Sequence, residues 1–289
     1  MKPLWGMDLT YDKDNEGLND ELFLVAKPDP ALQEALDRAT EQAEGAVSTA
    51  ELPPVLNVLR WVSGAVGALG LVGISRGLSR NDGLSMADAY HNAPWLFWAA
   101  GVCALLWFSL TLVARKRFRA LNQSDEGQQL LSHVDMAEQA IMTQFGVPTT
   151  AVDVDILSFY YKVDGEQIKV CEKPMQLFSH FNCAFKAYAD ATHLYLASDY
   201  AKYRFPLAGM TAIRTNKSKV RLHEWNKDVP FSDDVYQPYK MVADKFGCVH
   251  VKPHHVLELE QDGETFGIYF PAYELPAFEQ LTGLRAAED

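Results

Sequence analysis

The chain has 289 residues and a formal net charge of −12, unevenly spread along it. Residues 1–54 hold four Lys/Arg against twelve Asp/Glu, residues 55–119 hold seven against two, and the remainder is acidic again. Acidic parts on either side of a basic middle exclude nucleic-acid binding as the main task, and exclude broad adhesion to an anionic membrane outside local basic patches.

Residues 1–54 read as an acidic N-terminal segment. Met1–Lys27 has no steady period, and Asp12–Gly17 has the composition of a solvated loop. Glu21–Val25 is a short apolar patch, suited either to pairing with a folded domain or to docking, within what otherwise reads as a tail. Asp29-Pro30 has the form of an N-cap followed by proline at the first helical position. Leu32, Leu36, Ala39, Ala43 and Val47 then recur at helical spacing, and Pro53-Pro54 stops the helix. The thin, alanine-rich stripe fits light packing on a neighbour or on a second copy, so a homodimer is one expectation.

Two apolar runs follow, at 55–75 and 94–114. A bilayer core about 30 Å thick needs roughly 20 apolar residues in helical form, and each run meets that length. Neither has an Asp, Glu, Lys or His near its centre, as transport and proton relays usually require, so the pair reads as an anchor. Gly64, Gly67, Gly70 and Gly73 recur every third residue of the first run, in an apolar context with no preceding strand, so they do not form a nucleotide loop. Small residues allow close helix approach in lipid; Ser63/Gly67 and Gly73/Gly77 have the spacing, and Ala100, Gly101 and Ala104 offer a matching face. Trp61, Trp95, Trp98 and Trp107 include residues placed for the interfaces.

Arg115, Lys116, Arg117 and Arg119 directly follow the second run, whereas the connecting loop has Arg76 and Arg80 offset by Asp82 and Asp88. The positive-inside rule puts the cluster, and with it both termini, on the cytoplasmic side. The first run begins more than fifty residues in, behind an acidic segment, and so is expected to act as the insertion signal. Of the four cysteines, Cys103 lies in the second run, and Cys171, Cys183 and Cys248 belong to a domain expected to face a reducing compartment.

Residues 120–149 are expected to be a linker helix. Leu130, Leu131, Val134, Ala137, Ile141 and Phe145 have helical spacing, with Gly146 as stop and Pro148 as breaker. From Ala151 the period becomes two. Strands are expected at Val152–Tyr161, Ile168–Cys171, Cys183–Tyr188, His193–Ala197, Lys202–Phe205, Met210–Thr215, Ser218–Leu222, Gly247–Val251, Val256–Gln261 and Glu264–Phe270. Asp164-Gly165 and Asp262-Gly263 are tight hairpin turns. Pro271–Leu284 closes the chain with one apolar helix face. Many short antiparallel strands and one terminal helix describe a small barrel or bent sandwich plugged by that helix.

Leu194–Asp199, Arg204–Leu207 and Met210–Ile213, read as strand, turn, strand, short helical turn and strand, resemble the bacterial pleckstrin-homology-like (PH-like) domains often found beside transmembrane hairpins. Gly267–Pro271, running into a helix, is similar too. The resemblance covers residues 150–285 and implies no catalytic residues. The fold class expected is therefore a two-helix transmembrane hairpin plus a mainly β PH-like barrel or sandwich with a C-terminal helix, with His223–Lys240 as an added loop carrying Trp225 and Asp233-Asp234.

Three site readings follow. Arg214, Lys217, Lys219 and Arg221 form the densest basic run after 119. PH domains hold phosphate head groups with basic strands, so anionic-lipid recognition is implied by similarity, against the plainer reading of a solvated face. Cys248, His250, His254 and His255 have the donor types zinc accepts, and three of them with one of Cys171, His180 or Cys183 could close a tetrahedral site, though no paired CxxC accompanies them. A metal-dependent enzyme is the weakest reading: no Ser/His/Asp set, phosphate loop or HExxH is present, and Asp153/Asp155 and Asp233/Asp234 have no evident partner base. The expectation is a non-enzymatic, cofactor-free module at the bacterial plasma membrane. It is integral by two spans and binds a protein partner through a strand edge or the Trp225 loop.

Overall fold

Aspartate 29 begins the first long helix as its sequence dictates: Oδ1 accepts the Ala31 N–H at 2.9 Å, and helix α1 runs Pro30–Ala50. The structure, a computed structural model, describes residues 1–8, 20–80, 90–91, 93–164, 167–170, 181–217, 220–223, 248–251 and 253–287. It divides into two compact units, Glu34–Glu138 and Met1–Gln33 with Gln139–Asp289. Residues near the N-terminus supply core to the second unit.

The helical unit contains α2 (Pro54–Arg80) and α3 (Pro94–Asn122), each led by proline at its first position. Both are long and apolar enough to cross a membrane, and only 11% and 6% of their most apolar windows is buried. Helix α3 runs eight residues past Ala114, so Arg115, Lys116, Arg117 and Arg119 lie on helix. Within this unit the two helices pack through glycine. A Cβ at Gly67 would lie 3.5 Å from the Ala104 backbone N and 3.7 Å from Cys103 Cβ, and one at Gly70 only 2.9 Å from Ala100 Cβ. Gly64 lies beneath the Trp107 indole. Gly73 and Gly101 face open space, so the seam follows Gly64, Gly67 and Gly70 rather than every small residue of the runs. Helix α4 (Asp125–Gln144) ends at Gly146, whose φ of 64° suits glycine.

The sheet unit begins with two short strands, β1 (Lys2–Pro3) and β2 (Gly6–Asp8), and a third, β3 (Leu24–Ala26). Then come β4 (Val152–Asp164), β5 (Gln167–Val170), β6 (Phe181–Ala189), β7 (His193–Ala197) and β8 (Lys202–Pro206). After a short 3-10 turn the chain forms β9 (Met210–Asn216), β10 (Val220–His223), β11 (Cys248–Val251), β12 (His254–Gln261) and β13 (Glu264–Pro271). Helix α5 (Leu275–Thr282) ends at Gly283, with φ 74°.

One sheet has the order β2-β4-β6-β7-β8-β3, with β5 also on β4; a second has the order β1-β13-β12-β9; and β10 and β11 form a ribbon. β1 and β2 add in parallel to β13 and β4, and β3 adds antiparallel to β8. Inward residues of both sheets share one core: Val154, Ile156, Phe185, Leu194, Leu196 and Phe205 from the first, with Ile213, Leu257, Leu259, Phe266, Ile268 and Phe270 from the second. Phe278 of α5 stacks on Phe270 at 4.1 Å between ring centroids, closing that core. Leu4, Trp5 and Phe23 lie in the same core, so the described parts of the N-terminal segment are structural and not a tail. The expected Asp262-Gly263 turn is present, with φ 53° and 79°. The Asp164-Gly165 turn lies partly outside the described residues.

Candidate functional site

The basic run is split by the fold. Arg214 sits on β9, and its Nε is 2.8 Å from Oε1 of Glu258 on the neighbouring β12, so its charge already has a carboxylate partner. Lys217 follows β9 and is exposed. Lys219 lies outside the described residues. Arg221 is in β10, directly opposite His250 of β11. Of this run, Arg214 therefore lies on the edge strand of one sheet and Arg221 on a strand of the ribbon.

The four metal-type residues are also separated. Cys248 and His250 are alternate residues of β11 and share one face of the ribbon. His254 and His255 are successive residues of β12 and so fall on opposite faces of it. Both are buried, at 1% and 4% exposure. His254 lies against Tyr269, with 6.3 Å between ring centroids. His255 lies opposite Phe270, its Nδ1 3.3 Å from Thr215 Oγ1, and burial lowers its pKa so that the neutral ring is favoured. The two histidines are thus buried on opposite sides of one strand. Among the residues whose side chains are described, no three histidine, cysteine or carboxylate groups gather to hold a metal. Cys171, His180, Trp225, Asp233 and Asp234 lie outside the described residues.

The carboxylates that seemed isolated in the sequence have partners. Asp153 pairs with Lys186 across β4 and β6 at 2.6 Å. Asp155 Oδ2 accepts the Tyr273 hydroxyl at 2.7 Å, and the Asp155 N–H donates to Glu274 Oε1 at 3.0 Å. Residues 272–274 form the turn between β13 and α5, so this network ties the start of β4 to the end of the second sheet. Burial drives the Glu274 carboxyl up to about 7, against the opposing pull of the Asp155 N–H. Nothing in the chain's spacing signalled this carboxyl: Asp155 and Glu274 are far apart in sequence.

The strand edges are partly occupied by the chain itself. β3 lies along β8, β1 lies along β13, and the tail meets β9, where the Ala287 N–H donates to Ile213 O at 3.1 Å. That tail is held by Glu279, which accepts the Ala286 N–H and pairs with Arg285; these bonds hold its carboxyl below the usual range. At the β6–β7 turn Asp190 is likewise lowered, first by the Thr192 N–H and then by the Tyr195 hydroxyl, as a turn-locking carboxylate.

Of the basic residues on α3, Arg117 has a specific task. Its Nη1 and Nη2 donate to Glu51 O at 2.7 Å and Thr49 O at 3.0 Å, capping the carbonyls at the end of α1. No protein-family model matches this chain, and neither a curated protein nor a solved structure matches it significantly.

Proposed function

We propose that the chain is a membrane-anchored, non-enzymatic binding module: α2 and α3 span the plasma membrane as a hairpin, and the sheet unit is presented at the cytoplasmic face for a protein partner. The observation that carries this is the pairing, in one chain, of two apolar helices left almost wholly unburied with a sheet unit that closes its own core. A core helix of a soluble protein would spend its apolar surface inside; these expose Val55, Leu69, Trp95 and Leu105 at 68–78%. The basic end of α3 supports the cytoplasmic orientation. The succession β4-β6-β7-β8, then β9-β12-β13, then a terminal helix supports the PH-like reading of the sheet unit. Pairing of Arg214 with Glu258 weighs against anionic lipid as the primary ligand.

Two experiments test it. Membranes from cells producing the full chain are washed with alkaline carbonate; retention in the pellet until detergent is added is expected, and release by carbonate alone would refute the anchor. Photocrosslinkers placed at exposed Lys217 and Tyr200 in intact membranes are expected to give discrete protein adducts. Adducts to lipid alone would replace the protein partner by a head group.

A further inference from the structure

The seam between α2 and α3 ends in a cluster of positive charge. Gly64 lies beneath Trp107, Gly67 beside Ala104 and Gly70 beside Ala100, so the two helices run antiparallel. Arg60 precedes Gly64 by four residues and Thr111 follows Trp107 by four, which puts both one turn further along the facing sides of the seam. Arg115 follows after another turn, about 6 Å along the axis, with Lys116 and Arg119 beyond it on the same helix. Among the described residues, no ion pair engages Arg60, Arg115, Lys116 or Arg119. Between Glu51 and Asp125 the only carboxylates in the chain are Asp82 and Asp88, which lie between the two apolar runs. We infer that this end of the hairpin binds an anionic phospholipid, its phosphate held by Arg60 and Arg115, with Lys116 and Arg119 adding attractive charge. The inference rests on the membrane anchor proposed above.

Guanidinium groups meet phosphate with paired N–H donors and do not lose their charge. Arg60 lies roughly 9 Å along α2 from Pro54, within the stretch apolar enough to cross a membrane. A charge at such a position is costly in lipid unless an anion meets it. Its Cζ is 5.3 Å from the centroid of the Trp61 ring, and that indole is exposed, as interfacial tryptophans are. Asn57 Oδ1 and Thr111 Oγ1 lie enclosed on these turns without hydrogen-bond partners among the described residues. The seam is therefore polar here, whereas Gly67 and Gly70 meet alanine and cysteine. Val58, Phe108 and Leu112 expose apolar surface nearby. A free phosphate would satisfy the cations and leave that surface bare, whereas a phospholipid also covers it with its acyl chains. Basic pockets between membrane helices on the cytoplasmic side suit anionic head groups for this reason. Such a lipid belongs to the anchor and is not the ligand of the sheet unit.

The test uses the full chain reconstituted in phosphatidylcholine vesicles with a trace of spin-labelled phosphatidylglycerol or spin-labelled phosphatidylcholine. Electron paramagnetic resonance gives the share of each probe held at the protein surface. Phosphatidylglycerol should be preferred by at least about fivefold, the worth of one well-placed cation near an anionic surface. Arg60→Gln combined with Arg115→Gln should remove most of that preference. Lysine at both positions should keep part of it, because the charge remains while the planar fork is lost. Arg76→Gln, towards the other end of α2, should leave it intact. The phosphatidylcholine signal shows that each variant is inserted; where one is not, the preference of the parent chain and its response to inorganic phosphate decide. Inorganic phosphate at matched ionic strength should not compete, and competition would replace the lipid by a soluble anion. Equal holding of both probes, or a preference unchanged by the double glutamine variant, would overturn the proposal and leave the anchor standing. No held probe of either kind would overturn the anchor and the proposal with it. A photocrosslinker in place of Leu112 in cell membranes should label lipid; adducts only to a second copy or another protein would also overturn the proposal.

Discussion

The indole of Trp5 stands edge-on to the ring of Tyr203, with 5.5 Å between centroids and 84° between planes. It also lies 5.1 Å from the Phe185 ring, so one residue near the N-terminus joins two strands of the first sheet. With Leu4 fully buried beside it, the N-terminal segment completes a core that the remaining strands leave unfilled.

Trp5→Ala is expected to destabilise the sheet unit by about 3–5 kcal/mol, the usual cost of emptying an aromatic core position. Hydrogen exchange of β6 and β8 amides across a urea series measures it. A fragment of residues 147–289, which lacks Leu4, Trp5 and Phe23, should fail to give a cooperative transition. A fragment as stable as the whole would show these residues to be dispensable.

The seam between α2 and α3 can be locked. A Cβ at residue 67 lies 3.7 Å from Cys103 Cβ, close to the mean separation of about 3.8 Å in disulfides. Gly67→Cys, with the other three cysteines replaced by serine, should crosslink to Cys103 on mild oxidation. After protease cleavage at a site inserted between α2 and α3, the two halves should stay together until reduced. Free halves would contradict the Gly67–Cys103 apposition.

Glu274 predicts a pH slope. Its folded pKa, about 7, is above the ordinary 4.5, so between those values the folded chain holds a proton that the unfolded chain has released. The stability this proton confers is complete below pH 4.5 and is lost as pH rises through 7. Glu274→Gln keeps an oxygen to accept the Asp155 N–H but cannot ionise. Thermal midpoints from pH 5 to 8 should fall less steeply for the variant, which should be the more stable at pH 8. Parallel profiles would exclude the assignment.

Arg117 predicts a local effect. Replacing it by glutamine removes a charged, two-pronged cap from the end of α1, and a loss of about 0.5–2 kcal/mol there is expected. Amide exchange at residues 47–51 should quicken while α3 is unchanged. Lysine should rescue only in part, because a single ammonium does not reproduce the planar fork.

Much of the architecture was legible because it rests on short-range rules. The period-two pattern marks His193–Ala197, Met210–Asn216 and Glu264–Pro271, glycine or aspartate at positive φ marks the Asp262-Gly263 turn, and charge-free length marks the two apolar helices. The candidate site was far less legible. Arg214 lies in a basic run, yet what it does depends on Glu258 of the adjacent strand. His254 and His255 have the form of ligands, yet β12 turns them to opposite faces and packing buries both.

By itself, then, the sequence determined the apolar helices, the strand segments and their turns, since propensity, periodicity and length act within a few residues. Only the tertiary structure decided that Leu4, Trp5 and Phe23 are core, that β10 pairs with β11, and that Glu274 is buried beside Asp155. Strands of two or three residues are too short to show a period. Pairing register across long loops is set by which apolar faces can be buried together, a property of the whole sheet unit and not of any window of the chain.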